Sequence, residues 1–574
     1  MIEHIASPED LSLTDLVRHR LPDRFMTIGF YVRAFAMYFI PVCLTPLLWQ
    51  RSADSHCAFI VLYVVLLWLF QSIPPAIVSF LPIILAPAFL NYSTSELLEY
   101  YTSETMLLYV GYALIVHGVE ATNLHKRVIL TSLLVFGGKS GFIIGGFVIT
   151  TILVSMWTNA VRTAAIVLPI AMEALQHIQD NRLFHLLELR TRYVRRTAGI
   201  GTPIMEARYL IEGGVVMPDV IRILSEFFTV KKGLLIGISY SAVLGSMGSV
   251  VGCGGNLFVK AFLEQMYNYR RITIYQWVQC HLPLTVLCSF LLWFVLSVCY
   301  ASDVVSSDHI SKRAFEDIIY RHFAELGAVS FTEMATIITF LCMAAAIVGS
   351  HHYAEALNIE AAESTFNETA CIFFLAFVLH AVPSLYYYGR GRSRRRFHGE
   401  TAQHAVMKIS WAFVITMGAG VCVAKLTAHY NLQQSFDWLL PHHAITSAFH
   451  LQLLVAFVAL LLAEINNSLN NIVIFAPLIC HISDALKVHP LYLLMPFTFS
   501  CYFGFMASTA TPVSEYVTDY GDLLENEFVL PGIAMKIGCA LIVLLAYNTW
   551  CWDYLYLKEA IGPLTKRNQT APEV

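Results

Sequence analysis

A run of small and polar residues, YSAVLGSMGSVVGCGGN at Tyr240–Asn256, interrupts an apolar stretch long enough to span a membrane. It holds five glycines and four serines or cysteines. Glycine weakens a helix interior, and each backbone group left unpaired in hydrocarbon costs on the order of several kcal/mol. The run therefore predicts a helix broken at bilayer depth, with its freed backbone lining a polar cavity. The competing reading is close helix packing through small residues. A second apolar stretch, Pro490–Tyr520, breaks around Ser508–Ser514, and two over-long stretches carry polar tips, at Thr158, Asn159 and Arg162 and at Asn467-Ser468. Asn159, Asn256, Asn467, Ser468 and Thr511 offer amide or hydroxyl hydrogens, and helix N-termini at the breaks add N–H groups and partial positive charge. Such a set suits a small anion. Arg162 adds a full positive charge in a hairpin that is apolar on both sides, an expensive placement with a functional implication. Its guanidinium is matched to a carboxylate held in two-point fashion. The alternatives are a structural pair with an acid such as Glu464 or Glu515, or exposure at the hairpin edge.

These residues must be positioned by an all-α polytopic membrane protein. Of 574 residues, 57% are hydrophobic and 13% charged, with mean hydropathy +0.62; a soluble chain carries about 25% charge. A net charge of −4 gives no polycationic surface. The 13 cysteines are scattered, without paired metal-ligand spacing, and read mostly as small packing residues. The N-terminal residues lack the apolar core of a cleavable signal, so the first span is expected to act as the targeting signal.

Taking roughly 20 apolar residues per span, the chain reads as about eleven spans plus two re-entrant hairpins, Phe142–Ile178 and Ala444–Ile482. With a cytoplasmic N-terminus, Lys126-Arg127, Arg190–Arg196, Lys231-Lys232 and Arg390–Arg396 fall inside, as the positive-inside rule requires. Sequons at Asn91, Asn367 and Asn568 fall outside with the C-terminus, and a fourth, at Asn466, lies inside the second hairpin. The order also repeats: a polar-tipped hairpin precedes a broken helix twice, in opposite orientation. Inverted repeats with interrupted helices mark secondary transporters.

The motifs resemble those of the divalent anion–sodium symporter family, over nearly the whole chain. NLHKR at Asn123–Arg127 is similar to its cytoplasmic motif, and GSMGSVVGCGGNL at Gly245–Leu257 to its glycine-rich loop. MGAGVCVAK at Met417–Lys425, HPLYLLMP at His489–Pro496, FMASTATPV at Phe505–Val513 and NTW at Asn548–Trp550 match further family segments. The resemblance implies a cytoplasmic N-terminal segment at 1–33, scaffold helices at 34–138 and 301–443, and a transport domain at 139–300 and 444–553, with an extracellular tail at 554–574. It also implies elevator-like movement, a homodimer, and an anion site at Asn159, Gly254, Asn256, Asn467, Ser468, Thr511 and Pro512, to which the residue-level reading adds Arg162. Sodium or another coupling ion would sit at Asn159, Ser249, Gly252, Asn256, Asn467, Ala510 and Ser514. No organic cofactor is implied, and no nucleic acid partner.

The chain departs from the family where Ser-Asn-Thr tips are expected. The first tip reads Asn159-Ala160-Val161, or Thr158-Asn159-Ala160 after a one-residue slip; the second reads Asn467-Ser468-Leu469. Ser514 replaces the usual asparagine. Fewer oxygen ligands then face sodium, and with Arg162 as resident charge the expectation is sodium-independent carriage of a di- or tricarboxylate, with sulfate transport or a non-transporting carboxylate sensor as alternatives. Glu464 and Glu515 are read as proton carriers or as ion-paired structural acids, Lys425 as a cap or snorkelling residue, and Arg390–Arg396 as a topology and lipid contact. HExxH and GxSxG are absent from the sequence, which leaves a membrane enzyme without support.

Overall fold

The computed structural model describes residues 22–50, 52–90, 92–135, 140–198, 217–267, 269, 272–300, 309–356, 368–389, 406–407, 409–432, 448–555 and 557. The run Arg390–Arg396 and the sequons at Asn91, Asn367 and Asn568 lie outside them, as do residues 1–21 and 558–574. Among the described residues every regular element is a helix. Among the described residues nine helices are long and apolar enough to cross a membrane, or ten if Glu104–Ala121 and Leu124–Val135, bent by 68°, form one span. The other expected spans appear as shorter apolar helices, Arg33–Trp49, Pro75–Leu90, Glu368–Ala381 and Pro490–Cys501. The chain is an all-α polytopic membrane protein.

The chain divides into two compact units. The first combines α1 (Pro22–Trp49), α2 (Ala53–Phe70), α3 (Pro75–Val78), α4 (Leu81–Leu90) and α5 (Thr94–Glu99) with a helix from far along the chain, Trp411–His429. Gln71 in the left-handed region (φ 48°) ends α2, and Pro74-Pro75 restarts the chain as α3. The late helix is drawn in by small residues: a Cβ on Gly418 would lie 2.8 Å from Tyr101 Cα. Ser79 Oγ donates to Thr416 Oγ1 at 3.3 Å, and Cys57, Phe59, Ile60, Ala86, Leu90, Leu97, Cys422 and Leu426 form the core. Two buried cysteines there support the packing role read from sequence.

The second unit holds α6 (Glu104–Ala121), α7 (Leu124–Val135), α8 (Ser140–Ser155), α9 (Ala160–Ala198), α10 (Met217–Met247), α11 (Gly254–Tyr267), α12 (Ile274–Tyr300), α13 (His309–Leu326), α14 (Phe331–Ala356) and α15 (Glu368–Gly389). With α16 naming Trp411–His429 of the first unit, it continues through α17 (Ala448–Ile465), α18 (Ser468–Ala485), α19 (Pro490–Cys501), α20 (Pro512–Gly521), α21 (Asn526–Asn548) and α22 (Trp550–Tyr554). The hairpins are α8–α9 and α17–α18; the interrupted pairs are α10–α11 and α19–α20. Residues 301–329, read from sequence as a soluble loop, contain α13. Its buried Ala314, Phe315, Ile318 and Ile319 recur at helical spacing, and Phe315 meets Phe147 of α8 edge-on. Not every cysteine is a packing residue: Cys280 of α12 and Cys551 of α22 are joined in a disulfide.

Candidate anion site

Both predicted breaks are present. The helix stops at Met247 and resumes at Gly254; later it stops at Cys501 and resumes at Pro512. The backbone freed at the first break is satisfied by neutral side chains. Gly252 N donates to Ser249 Oγ (2.9 Å), Ser249 Oγ donates to Met156 O of the first hairpin (2.6 Å), and Asn256 Nδ2 donates to Ser249 O (2.9 Å) and Ser246 O (3.5 Å). The competing reading, close packing, holds for neighbouring glycines. A Cβ on Gly245 would fall on Ser155 Oγ and 2.6 Å from Ile152 O, and one on Gly255 would strike Ile472 and the Tyr502 hydroxyl. The run thus both breaks the helix and brings the two hairpins against it.

The second break is held by charge. The Glu464 carboxylate, at the end of α17, accepts Met506 N (3.2 Å) and Ala507 N (3.0 Å), and Lys536 Nζ of α21 donates to it at 2.8 Å. Ala510 N returns to Ala507 O (3.2 Å), and Thr511 caps α20 by accepting Ser514 N on its hydroxyl (3.1 Å). Ser514 Oγ lies 2.9 Å from Ser239 Oγ of α10. The two breaks meet through Tyr502, whose hydroxyl donates to Asn256 Oδ1 at 3.0 Å, and through Tyr240, whose hydroxyl donates to Phe505 O at 2.5 Å. Asn256 is wholly buried in this junction.

The hairpin tips match atom for atom. Val161 N donates to Asn159 Oδ1 (2.9 Å) and Thr163 N to Asn159 O (3.0 Å); Leu469 N donates to Asn467 Oδ1 (3.0 Å) and Asn471 N to Asn467 O (3.1 Å). Asn159 and Asn467 are therefore equivalent, both exposed, each capping the helix that follows. This internal correspondence pairs Asn159-Ala160-Val161 with Asn467-Ser468-Leu469, the ungapped register. Four helices, α9, α11, α18 and α20, begin at these interruptions, and every helix start leaves N–H groups without intrahelical partners. Gly252, Gly254, Ser468, Ala510 and Thr511 are partly exposed, and Pro512 is exposed, so the beginnings of these helices are accessible.

Arg162 takes a partner the sequence reading had not named. Its guanidinium reaches Glu120 of α6 at 3.0 Å, with His117 Nδ1 3.8 Å from the same carboxylate, rather than Glu464 or Glu515. Glu464 is ion-paired, with Lys536, and Glu515 is exposed. Sequence reasoning missed Tyr502, Ser239, Tyr240, Glu120 and Lys536. Lys536 carried a usable signal, since it is the one lysine or arginine within the apolar helix Asn526–Asn548. Among the described residues no group of three His, Cys, Asp or Glu side chains could hold a metal ion. An alkali cation would instead have to use hydroxyl, amide and carbonyl oxygens, and Ser249, Gly252 and Asn256 gather such atoms at the first break.

Two hairpins, each followed by an interrupted helix pair, bring four helix starts to one region, an arrangement suited to a secondary transporter of anions. The chain matches the family described as "Sodium:sulfate symporter transmembrane region" over residues 27–557, and it belongs to that family, the divalent anion–sodium symporters. It is 25% identical to "Na(+)/dicarboxylate cotransporter 3" of Rattus norvegicus over 554 residues, covering 90% of this chain and 92% of the relative. It is 22% identical to "Sodium-dependent low-affinity dicarboxylate transporter 1" of Caenorhabditis elegans, covering 94% of each. It is also 22% identical to "Na(+)/citrate cotransporter" of Rattus norvegicus, covering 90% and 94%. The protein is an anion transporter and not an enzyme.

Proposed function

We propose that this chain carries Krebs-cycle di- and tricarboxylates, succinate and citrate first, across the plasma membrane by elevator-type alternating access. In this reading residues 139–300 and 444–553 move against residues 34–138 and 301–443, and the protein works as a homodimer in contact with lipid. The observation that carries the proposal is the pair of tip asparagines, Asn159 and Asn467, each exposed at the start of a helix. A carboxylate needs hydrogen-bond donors and partial positive charge at each end, and two equivalent helix starts supply them. The substrate contacts are Asn159, Arg162, Gly254, Asn256, Asn467, Ser468, Thr511 and Pro512. Asn256 contributes by holding the first break in shape, since its own amide is engaged with Ser249 and Tyr502. Arg162 shares its charge between Glu120 and the carboxylate. A coupling ion, where one is carried, sits at Asn159, Ser249, Gly252 and Asn256; Asn467, Ala510 and Ser514 are the matching positions of the second half.

The relatives' names point to sodium coupling, whereas both altered tips and Arg162 favour carriage that is independent of sodium. Uptake of labelled succinate, citrate and sulfate, with sodium replaced by choline and at two pH values, tests both parts. Saturable succinate or citrate uptake that persists in choline is expected. Uptake of sulfate alone would reassign the substrate, and strict sodium dependence would defeat the role given to Arg162. Anion-induced thermal stabilisation without uptake would identify a carboxylate sensor.

A further inference from the structure

The two halves satisfy their broken backbones by different chemistry. At the first break the facing groups are neutral: a Cβ on Gly248 would lie 3.1 Å from Met156 Cε and 3.2 Å from Thr285 Oγ1. The tip correspondence of Asn159 with Asn467 makes Glu464 the counterpart of Met156, three residues before each asparagine. The second half therefore places a carboxylate where the first has a thioether. Its counter-charge is also built in. Lys536 is 8% exposed, lies 2.8 Å from Glu464 Oε1 and 4.0 Å from Met506 Sδ, and stands one turn after Gly532, which touches the Phe505 carbonyl and would bring a Cβ 3.1 Å from Met506 Cα.

We propose that Lys536 is a resident cation of the second half, holding the position beside Glu464 and the second break that a carried sodium ion would otherwise neutralise. This rests on the reading of the chain as a carboxylate carrier and deepens it by assigning the charge. A carboxylate at this depth must have a counter-charge, because an uncompensated buried ion is strongly destabilising. Two backbone N–H groups partly disperse the charge and the ammonium completes it. The ammonium is tethered and leaves with no substrate, so the second half contributes no sodium to the transport cycle. A hard cation needs several oxygen ligands at once, and at Glu464 the ammonium already takes Oε1 while the backbone N–H groups of Met506 and Ala507 take both carboxylate oxygens.

The test is thermal unfolding of the purified full-length protein in sodium, lithium, potassium and choline chloride at equal ionic strength, at pH 7.5 and 5.5, with and without succinate or citrate. Wild type, Lys536→Ala and the neutral double variant Glu464→Gln/Lys536→Met are compared. Removing the ammonium alone exposes Glu464, so Lys536→Ala is expected to gain a saturable sodium-dependent rise in melting temperature of about 2 °C or more over choline. This added rise should be absent from wild type and from the double variant, which respond to sodium at the first break or not at all. A Lys536→Ala protein that folds but responds to sodium as wild type does would overturn the proposal. So would a wild-type sodium response with a Hill coefficient near two, a measurement that stands even where Lys536→Ala does not fold. An acid-induced rise in place of the sodium rise would assign the vacancy to a proton and overturn the sodium-equivalent role. Loss of stabilisation by every carboxylate would sink the transport reading instead, leaving the sodium comparison readable.

Discussion

Replacing Asn256 by alanine tests whether the two interruptions are one structure. The substitution removes a 2.9 Å bond to Ser249 O and a longer one to Ser246 O, and it leaves the buried Tyr502 hydroxyl with the Cys253 thiol in place of its amide acceptor. A buried hydroxyl left with a weak thiol partner costs about 1 kcal/mol, and the lost bonds to carbonyls add about 1 kcal/mol, so Asn256→Ala should destabilise by about 2 kcal/mol. In a chain of this size that corresponds to a fall of roughly 2 °C in melting temperature. Tyr502→Phe deletes the donor instead and should cost about 1 kcal/mol, because an acceptor without a donor is the milder loss. The informative quantity is the coupling. If the hydroxyl and amide meet as the structure places them, the double variant should be about 1 kcal/mol more stable than the sum of the singles predicts. The assay is detergent-solubilised thermal unfolding, repeated with succinate and citrate; the anion-induced shift should vanish in Asn256→Ala and persist, reduced, in Tyr502→Phe. Additive effects, or an Asn256→Ala protein with unchanged melting temperature and anion shift, would refute the claim that this amide joins the two breaks.

Three other outcomes are expected. Gly255→Ala should abolish uptake and lower the melting temperature, because its Cβ would strike Ile472 and Tyr502; wild-type uptake would show that the breaks can separate there. Arg162→Ala should weaken anion-induced stabilisation while Glu120→Gln preserves it; equal losses would reduce Arg162 to a structural pair. Burial pushes the His489 imidazole, in the turn between α18 and α19, down to about 4, and its Nδ1 accepts Leu491 N as the cap of α19. The folded value lies below the unfolded value of about 6.5, so this contribution is complete above that pH and is lost as pH falls from about 6.5 towards 4. The loss reaches at most about 3 kcal/mol, and His489→Asn, which keeps a cap acceptor, should flatten the melting-temperature profile across that interval.

Much of the architecture was legible because membrane length and backbone chemistry are local constraints. The interruptions at Gly254 and Pro512 followed from residues that end or restart helices, and the tips from asparagines stranded in apolar runs. The helix His309–Leu326 was hidden by its charge, although Ala314, Phe315, Ile318 and Ile319 form a stripe with helical period. The site's partners were not legible for a different reason. Asn256 meets Tyr502 across 246 residues, Glu464 meets Lys536 across 72, and Cys280 meets Cys551 across 271. No periodicity encodes such pairings; they exist only after the helices pack. Arg162 illustrates the limit. Its cost in hydrocarbon pointed to a substrate carboxylate or to an acid such as Glu464 or Glu515, and only the packing of α6 beside the first tip brings Glu120 to it.

The same packing explains why a symmetric backbone does not make a symmetric carrier. Asn159 and Asn467 repeat each other down to the backbone bonds they accept, so the repeat is retained where helix starts must be capped. It diverges where freed backbone must be satisfied: Ser249 and Asn256 do this with neutral groups at the first break, Glu464 with Lys536 at the second. A neutral network holds no resident charge that must be displaced before a carried cation enters, whereas opening the partly buried Glu464–Lys536 pair leaves both charges unpaired. Exchange of cations with solution should therefore be confined to the first break, and substitutions at Ser249 should alter cation dependence where equivalent changes at Ser514 do not.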